Sequence, residues 1–164
     1  MKAILITPNH ETRRLEVTTV ELESDPAYGA DLKSIYQHVG CSEIEMIDCD
    51  PHGPLAGHSA VLDENGLYAL NLGYSWVPQI GHQPYAGRIL LVGLNAMGET
   101  IDATVDENTV RQLPGMVYLL PRTAVVFASR HESIFREEYP GVIMVPASHA
   151  ILEQIAAQAH RQAV

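Results

Sequence analysis

Four side chains of the kinds that bind zinc lie close together in the chain: Cys41, Cys49, His52 and His58. Structural zinc sites usually pair ligands two to four residues apart on a turn. Cys41 and Cys49 instead stand at opposite ends of a predicted strand that is too long to bring them together. We therefore predict no bound metal. A small metal-dependent hydrolase that uses His52, His58 and neighbouring carboxylates stays open as an alternative function.

The usual signatures of catalysis are missing from the sequence. Cys49 lies between Asp48 and Asp50, whose charges raise a thiol's pKa and suppress the reactive thiolate. His131-Glu132 begins like a zinc-protease helix, but Phe135 stands where the second histidine is required. There is also no nucleophile elbow, phosphate loop or dinucleotide-binding glycine motif. The sequence favours a noncatalytic protein without a cofactor.

A segment from Gly73 to Gly87 is predicted as a loop that mixes aromatic rings with neutral hydrogen-bonding groups, which suits a planar ligand or a protein partner. Arg88 follows it as the nearby cation that a nucleotide phosphate would need. The predicted binding residues are Tyr74, Trp76, Gln79, His82, Gln83, Tyr85 and Arg88. The alternative interpretation is that Trp76 and Val77 cover one end of the sheet.

The charge distribution narrows the choice of partners. Between Lys33 and Arg88 the chain has no Lys or Arg, while its six acidic residues are Glu43, Glu45, Asp48, Asp50, Asp63 and Glu64. The whole chain carries a formal net charge of -10. Nonspecific nucleic-acid binding and binding to anionic membranes both need clustered cations, so we expect neither. An acidic surface suits a basic partner.

Hydrophobic patterning predicts the elements that position these residues. Lys2 to Thr7 and Leu15 to Leu22 are two strands, and Leu32 to Val39 is an amphipathic helix ended by Gly40. Ile44 to Cys49 is a strand, and the continuous apolar run from Ile89 to Val92 is a central strand buried on both faces. A hairpin joins Ala60-Val61-Leu62 to Leu67-Tyr68-Ala69-Leu70 through Asn65-Gly66, with positive backbone angles in the turn.

A boundary is predicted at Pro114-Gly115, after a short helix from Glu107 to Leu113. Three apolar runs follow, and a final helix begins at about Ser148. The runs are Met116 to Leu120, Thr123 to Ala128 and Val142 to Val145. We predict an α+β fold in which a mostly antiparallel sheet is covered by helices. Residues 1–113 form the domain, and residues 114–164 are an extension that packs on the same body.

Composition also predicts the compartment. The apolar run Met1 to Ile6 is too short for a secretory signal, and no run is long enough to span a bilayer. Two cysteines are too few for a disulfide scaffold. These features predict a cytoplasmic protein that does not use a membrane.

The chain resembles the domain of unknown function 3846 family of phage, plasmid and other mobile-element proteins over about residues 1–113. The resemblance rests on the start Met1 to Pro8, the helix from Leu32 to Gly40, the strand Ile44-Glu45-Met46-Ile47, the turn Asp63 to Leu67 and the run Ala86 to Gly93. Leu70-Asn71-Leu72-Gly73 departs from the run that the family often shows after the hairpin. The resemblance implies an accessory protein of a mobile element and no established chemistry.

Together these observations predict a noncatalytic accessory protein of a phage or plasmid. Its expected partner is a host protein or a small nucleotide, bound through the acidic surface and the aromatic segment, and counter-defence is one such role. One version is a DNA mimic that occupies a basic groove, although 18% charged residues is a modest charge density for one. A third class is a structural or assembly component, in which the C-terminal strands form a homo-oligomer.

Overall fold

The computed structural model describes residues 1–25, 29–66, 73–81, 84–119, 125–127 and 143–145. The described helices are α1 (Leu32–Val39) and α2 (Glu107–Arg111). The strands, in chain order, are β1 (Lys2–Asn9), β2 (Arg14–Glu21), β3 (Ser24–Asp25), β4 (Gly29–Ala30), β5 (Ile44–Asp48), β6 (His58–Asp63), β7 (Tyr74–Trp76), β8 (Tyr85–Ala86), β9 (Ile89–Leu94), β10 (Thr100–Ile101), β11 (Val117–Leu119), β12 (Val125–Phe127) and β13 (Ile143–Val145).

The main sheet has six strands in the order β2-β1-β9-β6-β5, with β10 pairing with the end of β9. Every pairing within this sheet is antiparallel. The central strand β9 pairs with β1 on one side and with β6 on the other. Its Leu91 is opposite Ile4 of β1 and Ala60 of β6. The predicted opening strands, the strand from Ile44 and the central strand are therefore confirmed, as is a mostly antiparallel sheet.

Both faces of β9 are buried, as its continuous apolar run predicts. Ile89 and Leu91 lie in one hydrophobic cluster, and Leu90 and Val92 lie in another, because successive side chains of a strand point to opposite faces. All four side chains are 0% exposed. The sheet therefore separates two cores, and each face needs its own cover.

Helix α1 covers the face that carries Leu90 and Val92, where its Ile35 and Val39 are buried. The Asp31 side chain starts the helix by accepting a hydrogen bond from the Ser34 backbone N–H at 2.9 Å. Gly40 ends it in the left-handed conformation with φ of 83°, and its N–H donates to the Tyr36 carbonyl. The predicted helix and its glycine cap are confirmed.

The opposite face is covered mainly by connecting segments. Its cluster adds Leu55, Val77, Ile80 and Ala103 from loops, with Val110 from the short helix α2. The expectation of a sheet covered by helices is therefore not confirmed, since among the described residues α1 covers one face and connecting segments cover most of the other. The chain can use loops here because their apolar side chains bury surface as effectively as a helix would, while their backbone polar groups bond locally.

The segment from Gly73 to Gly87, predicted to be an irregular loop, contributes β7 and β8 to a second sheet of order β11-β7-β8. In it Trp76 pairs with Val117 and Ser75 pairs with Tyr85. Local patterning could not show these pairings, because β11 follows β7 by about forty residues. The strand predicted at Met116 to Leu120 is thus present as β11, which pairs with β7.

The second strand of the predicted hairpin, Leu67 to Leu70, lies outside the described residues. The hairpin's first strand lies within β6, and the turn at Asn65-Gly66 lacks the positive φ angles that were expected. Instead the Asp63 carboxylate accepts a hydrogen bond from the Asn65 N–H at 3.0 Å, and a Cβ on Gly66 would lie 2.9 Å from Ala86 Cβ. Glycine is needed here for close approach.

The remaining predictions for the tail are tested in part. The expected helix from Glu107 is present as α2, and the two later apolar runs contain β12 and β13, which pair in parallel. The helix expected from about Ser148 lies outside the described residues.

The N-cap of α1 yields a stability prediction. We expect Asp31→Ala to lower the free energy of unfolding by about 1 kcal/mol, because the Ser34 N–H loses its acceptor. Urea denaturation followed by circular dichroism measures the change. Lys33→Ala is the control, since Lys33 lies exposed in the same helix and should have an effect within about 0.5 kcal/mol. Equal losses in the two variants would contradict the capping role.

Candidate functional site

The three aromatic residues predicted to bind a ligand are buried in the second sheet region. Tyr74 and Trp76 lie in β7 and are each 4% exposed, and Tyr85 lies in β8 and is 8% exposed. Their rings therefore do not present open faces at the surface. This placement agrees with the alternative interpretation, in which Trp76 and Val77 form part of the cover of the sheet.

The polar members of the same predicted set make local contacts. Gln79 Nε2 donates to the Pro114 carbonyl at 2.9 Å, and Arg88 Nη1 donates to the His38 carbonyl in the last turn of α1 at 3.1 Å. Arg88 thus serves the C-terminal end of a helix, where cations are favoured. His82 and Gln83 lie outside the described residues.

His58 is buried and both of its ring nitrogens have partners. Nδ1 lies 3.1 Å from the Ala56 carbonyl, and Nε2 lies 3.1 Å from the Thr104 backbone nitrogen. A carbonyl can only accept and a backbone N–H can only donate, so the proton sits on Nδ1 and Nε2 is the acceptor. The ring joins two loops of the core. His52 is exposed, and within the described ranges no group of three or more potential metal ligands forms.

Cys49 and Tyr85 share the core cluster on the face opposite α1. Burial, with a further contribution from Asp48, raises the pKa of the Cys49 thiol to about 11. Burial, followed by the charge of Glu45, raises the pKa of Tyr85 to about 12. Cys49 is therefore a neutral thiol at physiological pH, which fits the prediction that it makes a poor nucleophile.

A row of backbone N–H and C=O groups without partners among the described residues lies along the outer edge of β5. Cys49 N–H bonds to the His58 carbonyl, and Glu64 N–H bonds to the Glu43 carbonyl. Backbone groups of an antiparallel strand alternate in direction, so the groups of Ile44, Met46 and Asp48 point away from β6. Among the described residues nothing pairs with them. This edge of the sheet can accept another strand.

The side chains along β5 combine exposed carboxylates with one large apolar residue. Glu43, Glu45 and Asp48 are exposed, and Met46 is a large apolar side chain that is 46% exposed between them. Glu43 accepts from Asn65 Nδ2, and Asp48 accepts from Ser59 Oγ at 2.5 Å. Within the part of the chain that the structure describes, no Lys or Arg forms an ion pair with these carboxylates. We call β5 with Glu43 the acidic edge.

Sequence reasoning located the carboxylates of the acidic edge but did not identify the edge or Met46. The missed signal is the pattern of the strand itself, in which acidic residues and a large apolar residue share a short β segment. Lys or Pro often protects an exposed edge from pairing, and β5 has neither.

The buried acids Cys49 and Tyr85 predict a loss of stability in alkali. The folded-state pKa values of Cys49 and Tyr85 lie above their ordinary values of 9.0 and 10.0. The stability that each neutral buried group contributes is therefore complete below its ordinary pKa and is lost as pH rises through its folded-state pKa. We expect each group to lower the free energy of unfolding by about 1.4 kcal/mol per pH unit within its own window.

Urea unfolding between pH 8 and pH 11 measures this decline. Cys49→Ala and Tyr85→Phe should each flatten the decline within the window of the group that is removed. A decline of the same steepness in both variants and in the parent chain would contradict the assignment.

No helix in the described residues is long and apolar enough to cross a membrane.

Comparison with known proteins places the chain in a family. No curated protein and no solved structure matches the chain. The family model described as Domain of unknown function (DUF3846) matches residues 1–114 of the 164. This match contains β1 to β10 with both helices, and so includes the whole main sheet and its acidic edge. The chain therefore belongs to the DUF3846 family.

Proposed function

We propose that this protein is a noncatalytic binding protein whose acidic edge recognises an extended, basic segment of a partner protein. The observation that carries the proposal is the outward row of backbone groups on β5, flanked by Glu43, Glu45 and Asp48. The partner segment would add a strand to the sheet, with main-chain hydrogen bonds supplying affinity.

The charges at the edge select the kind of segment. In the described residues the carboxylates of the acidic edge form no ion pair with Lys or Arg, so they can attract Lys or Arg side chains of the added strand. This attraction would speed association and fix the register of the added strand against β5. Met46 supplies an apolar contact at the middle of the strand, where an aliphatic side chain of the partner would cover it.

A protein segment fits the site better than a small nucleotide does. The rings that would have stacked on a base, those of Tyr74, Trp76 and Tyr85, are each at most 8% exposed. The cation that would have held a phosphate, Arg88, bonds to the end of α1. A carboxylate-lined edge repels phosphate as well.

The wider role follows the resemblance to mobile-element proteins. We propose an accessory protein of a phage or plasmid that acts in the cytoplasm on a host protein with an exposed basic segment, and interference with a host defence protein is one such action. The acidic edge supports this role because defence and nucleic-acid-processing proteins carry basic surfaces that contact phosphates.

A pair of synthetic peptides tests the edge directly. The probe is an acetylated and amidated heptapeptide of alternating Lys and Val, and the control is the same peptide with Glu in place of Lys. We expect the lysine peptide to shift the backbone amide signals of Ile44, Met46 and Asp48 in two-dimensional NMR spectra of the full chain. N-methylation of the peptide along its bonding edge should abolish the effect.

Matched variants separate strand addition from attraction by overall charge. Met46→Pro removes an outward N–H without changing charge, and a proline is tolerated on an edge strand, so binding should be lost in a folded protein. Glu45→Lys should weaken binding about fivefold, while Glu11→Lys, at the exposed β1–β2 turn, should leave it unchanged. Equal weakening by the two reversals, or retained binding in the proline variant, would contradict the proposal.

Affinity capture from lysate of a bacterial host tests the wider role. The parent chain and the Glu11→Lys control should retain a host protein that the Met46→Pro and Glu45→Lys variants release. The captured protein, once purified, should bind with the same dependence on these residues. Capture that is identical with all four proteins would contradict a role for the acidic edge.

A further inference from the structure

The opposite edge of the main sheet, at β2, has unpaired backbone groups at the start of the strand. Leu22 and Met1 exchange backbone hydrogen bonds, so the even-numbered residues of β2 face β1 and the odd-numbered residues face outward. The outward N–H and carbonyl of Leu15 and the N–H of Val17 have no partner among the described residues. These groups can bond to another strand.

Side chains of α2 occupy the next outward groups of the same edge. Thr19 N–H donates to Glu107 Oε1 at 2.7 Å, and the Val17 carbonyl accepts from Arg111 Nη2 at 2.6 Å. Glu107 and Arg111 are one turn apart on α2 and form an ion pair with each other. An added strand cannot bond to Thr19 N–H without displacing this pair, so α2 limits how far such a strand extends along β2.

A groove of about 560 Å³ lies beside the unpaired groups. Its lining consists of Thr12, the residues from Arg14 to Thr18, and Arg111 of α2. Successive residues of a strand point to opposite faces, so a groove lined by five of them in a row runs along the strand edge. The groove therefore combines space with unpaired backbone groups.

Arg14 and Glu16 give the groove one charge of each sign. Arg14 is exposed and has no ion-pair or hydrogen-bond partner in the described part of the chain. Glu16 is exposed too, and it keeps its charge because its hydrogen-bond donor, the Asn9 amide at 2.5 Å, is neutral. The two residues are two positions apart, so both side chains lie on one face of β2. A complementary strand carries one acid and one base with the same spacing, and β2 itself has this pattern.

We infer that the groove binds β2 of a second copy of this chain, in a two-fold symmetric, antiparallel pairing centred on Leu15. The N–H of each Leu15 donates to the Leu15 carbonyl of the other copy. The same symmetry places Arg14 of each copy directly opposite Glu16 of the other copy, which gives two attractive cross-strand pairs. The two main sheets then form one continuous sheet.

The other two-fold registers fit less well. Centring the pairing on Arg14 or on Glu16 places two like charges directly opposite each other, which is destabilising. Centring it on Val17 requires the Val17 carbonyl and Thr19 N–H, which α2 already occupies. Only the register centred on Leu15 satisfies the free backbone groups and both charges.

The β1–β2 turn also suits this register. Arg13 precedes β2 and has a φ of 53°, so the chain leaves the extended conformation there and turns back toward β1. In the pairing centred on Leu15, the second copy's Arg13 lies opposite Val17. The second copy therefore leaves the edge before it reaches Thr19, where α2 lies.

The dimer leaves the acidic edges accessible. The main sheet has the order β2-β1-β9-β6-β5, so β5 is at the edge opposite the dimer contact. Each dimer thus carries two acidic edges, one at each end of the continuous sheet. Dimerisation does not rest on the proposed function of β5, and either can hold without the other.

Sedimentation equilibrium of the full chain tests the dimer. A contact through one short strand from each copy is small and of low affinity, so the measurement extends to about 1 mM chain. We expect a reversible equilibrium between monomer and dimer. The Met46→Pro variant, which should lose partner binding at β5, should dimerise like the parent chain. A parent chain that stays monomeric throughout would overturn the inference, as would loss of the dimer in Met46→Pro.

Charge reversals test the register. Arg14→Glu and Glu16→Arg each place like charges opposite each other twice in a dimer, so each variant alone should dimerise about tenfold more weakly. An equimolar mixture of the two variants has opposite charges at both contacts and should associate as well as the parent chain does. The double variant that exchanges the two residues should recover as well. Lys33→Glu, an exposed reversal on α1, is the control and should have no effect.

The mixture separates this register from effects of overall charge. Failure of the two variants to associate with each other would overturn the inference, as would equal weakening by Lys33→Glu. Amide hydrogen exchange provides a second measurement, in which Leu15 should exchange more slowly as the chain concentration rises while Ile44 is unchanged. Exchange of Leu15 that does not depend on concentration would also overturn the inference.

Discussion

Burial of both faces of β9 is the constraint on which the other features depend. Ile89 to Val92 is apolar at every position, so neither face can be left to water, and each position buries its side chain completely. The chain meets this demand with α1 on one face and with loops, α2 and parts of the second sheet region on the other.

The same demand for cover explains the burial of three residues from the aromatic segment. Tyr85, Val77 and Ile80 belong to the cluster over Ile89 and Leu91. With its faces covered, the main sheet keeps unpaired backbone groups at its edges. At β2 the ion pair on α2 satisfies part of that edge. At β5 the described residues leave the outward groups without partners and surround them with carboxylates. The functional proposals therefore concern edges rather than pockets.

The sequence predicts those features that arise from local patterns. Alternation and β-branched residues indicated β1, β2 and β5, and the Leu32-to-Val39 stripe with Gly40 indicated α1 together with its end. The features that the sequence does not show depend on partners distant in the chain. Asn65-Gly66 is a strong local signal for a turn with positive φ angles, yet Asp63 closes this turn and Gly66 lies against Ala86. The aromatic composition of the segment with Tyr74, Trp76 and Tyr85 suits a binding loop and a small buried sheet equally. Only the pairing of β7 with β11 distinguishes these two structures.

The acidic edge could be predicted in part for the same reason. The charges of Glu43, Glu45 and Asp48 are readable from the sequence. The direction of the backbone groups of Ile44 and Met46 depends on the register with β6, which no local pattern contains.

The most direct measurement is residue-resolved amide hydrogen exchange along β5 in the full, unliganded chain. If the edge is available to a partner, the amides of Ile44, Met46 and Asp48 exchange much faster than those of Glu45, Ile47 and Cys49, because only the latter three point toward β6. Uniformly slow exchange along the strand would show that its outer edge is already paired and would contradict the account.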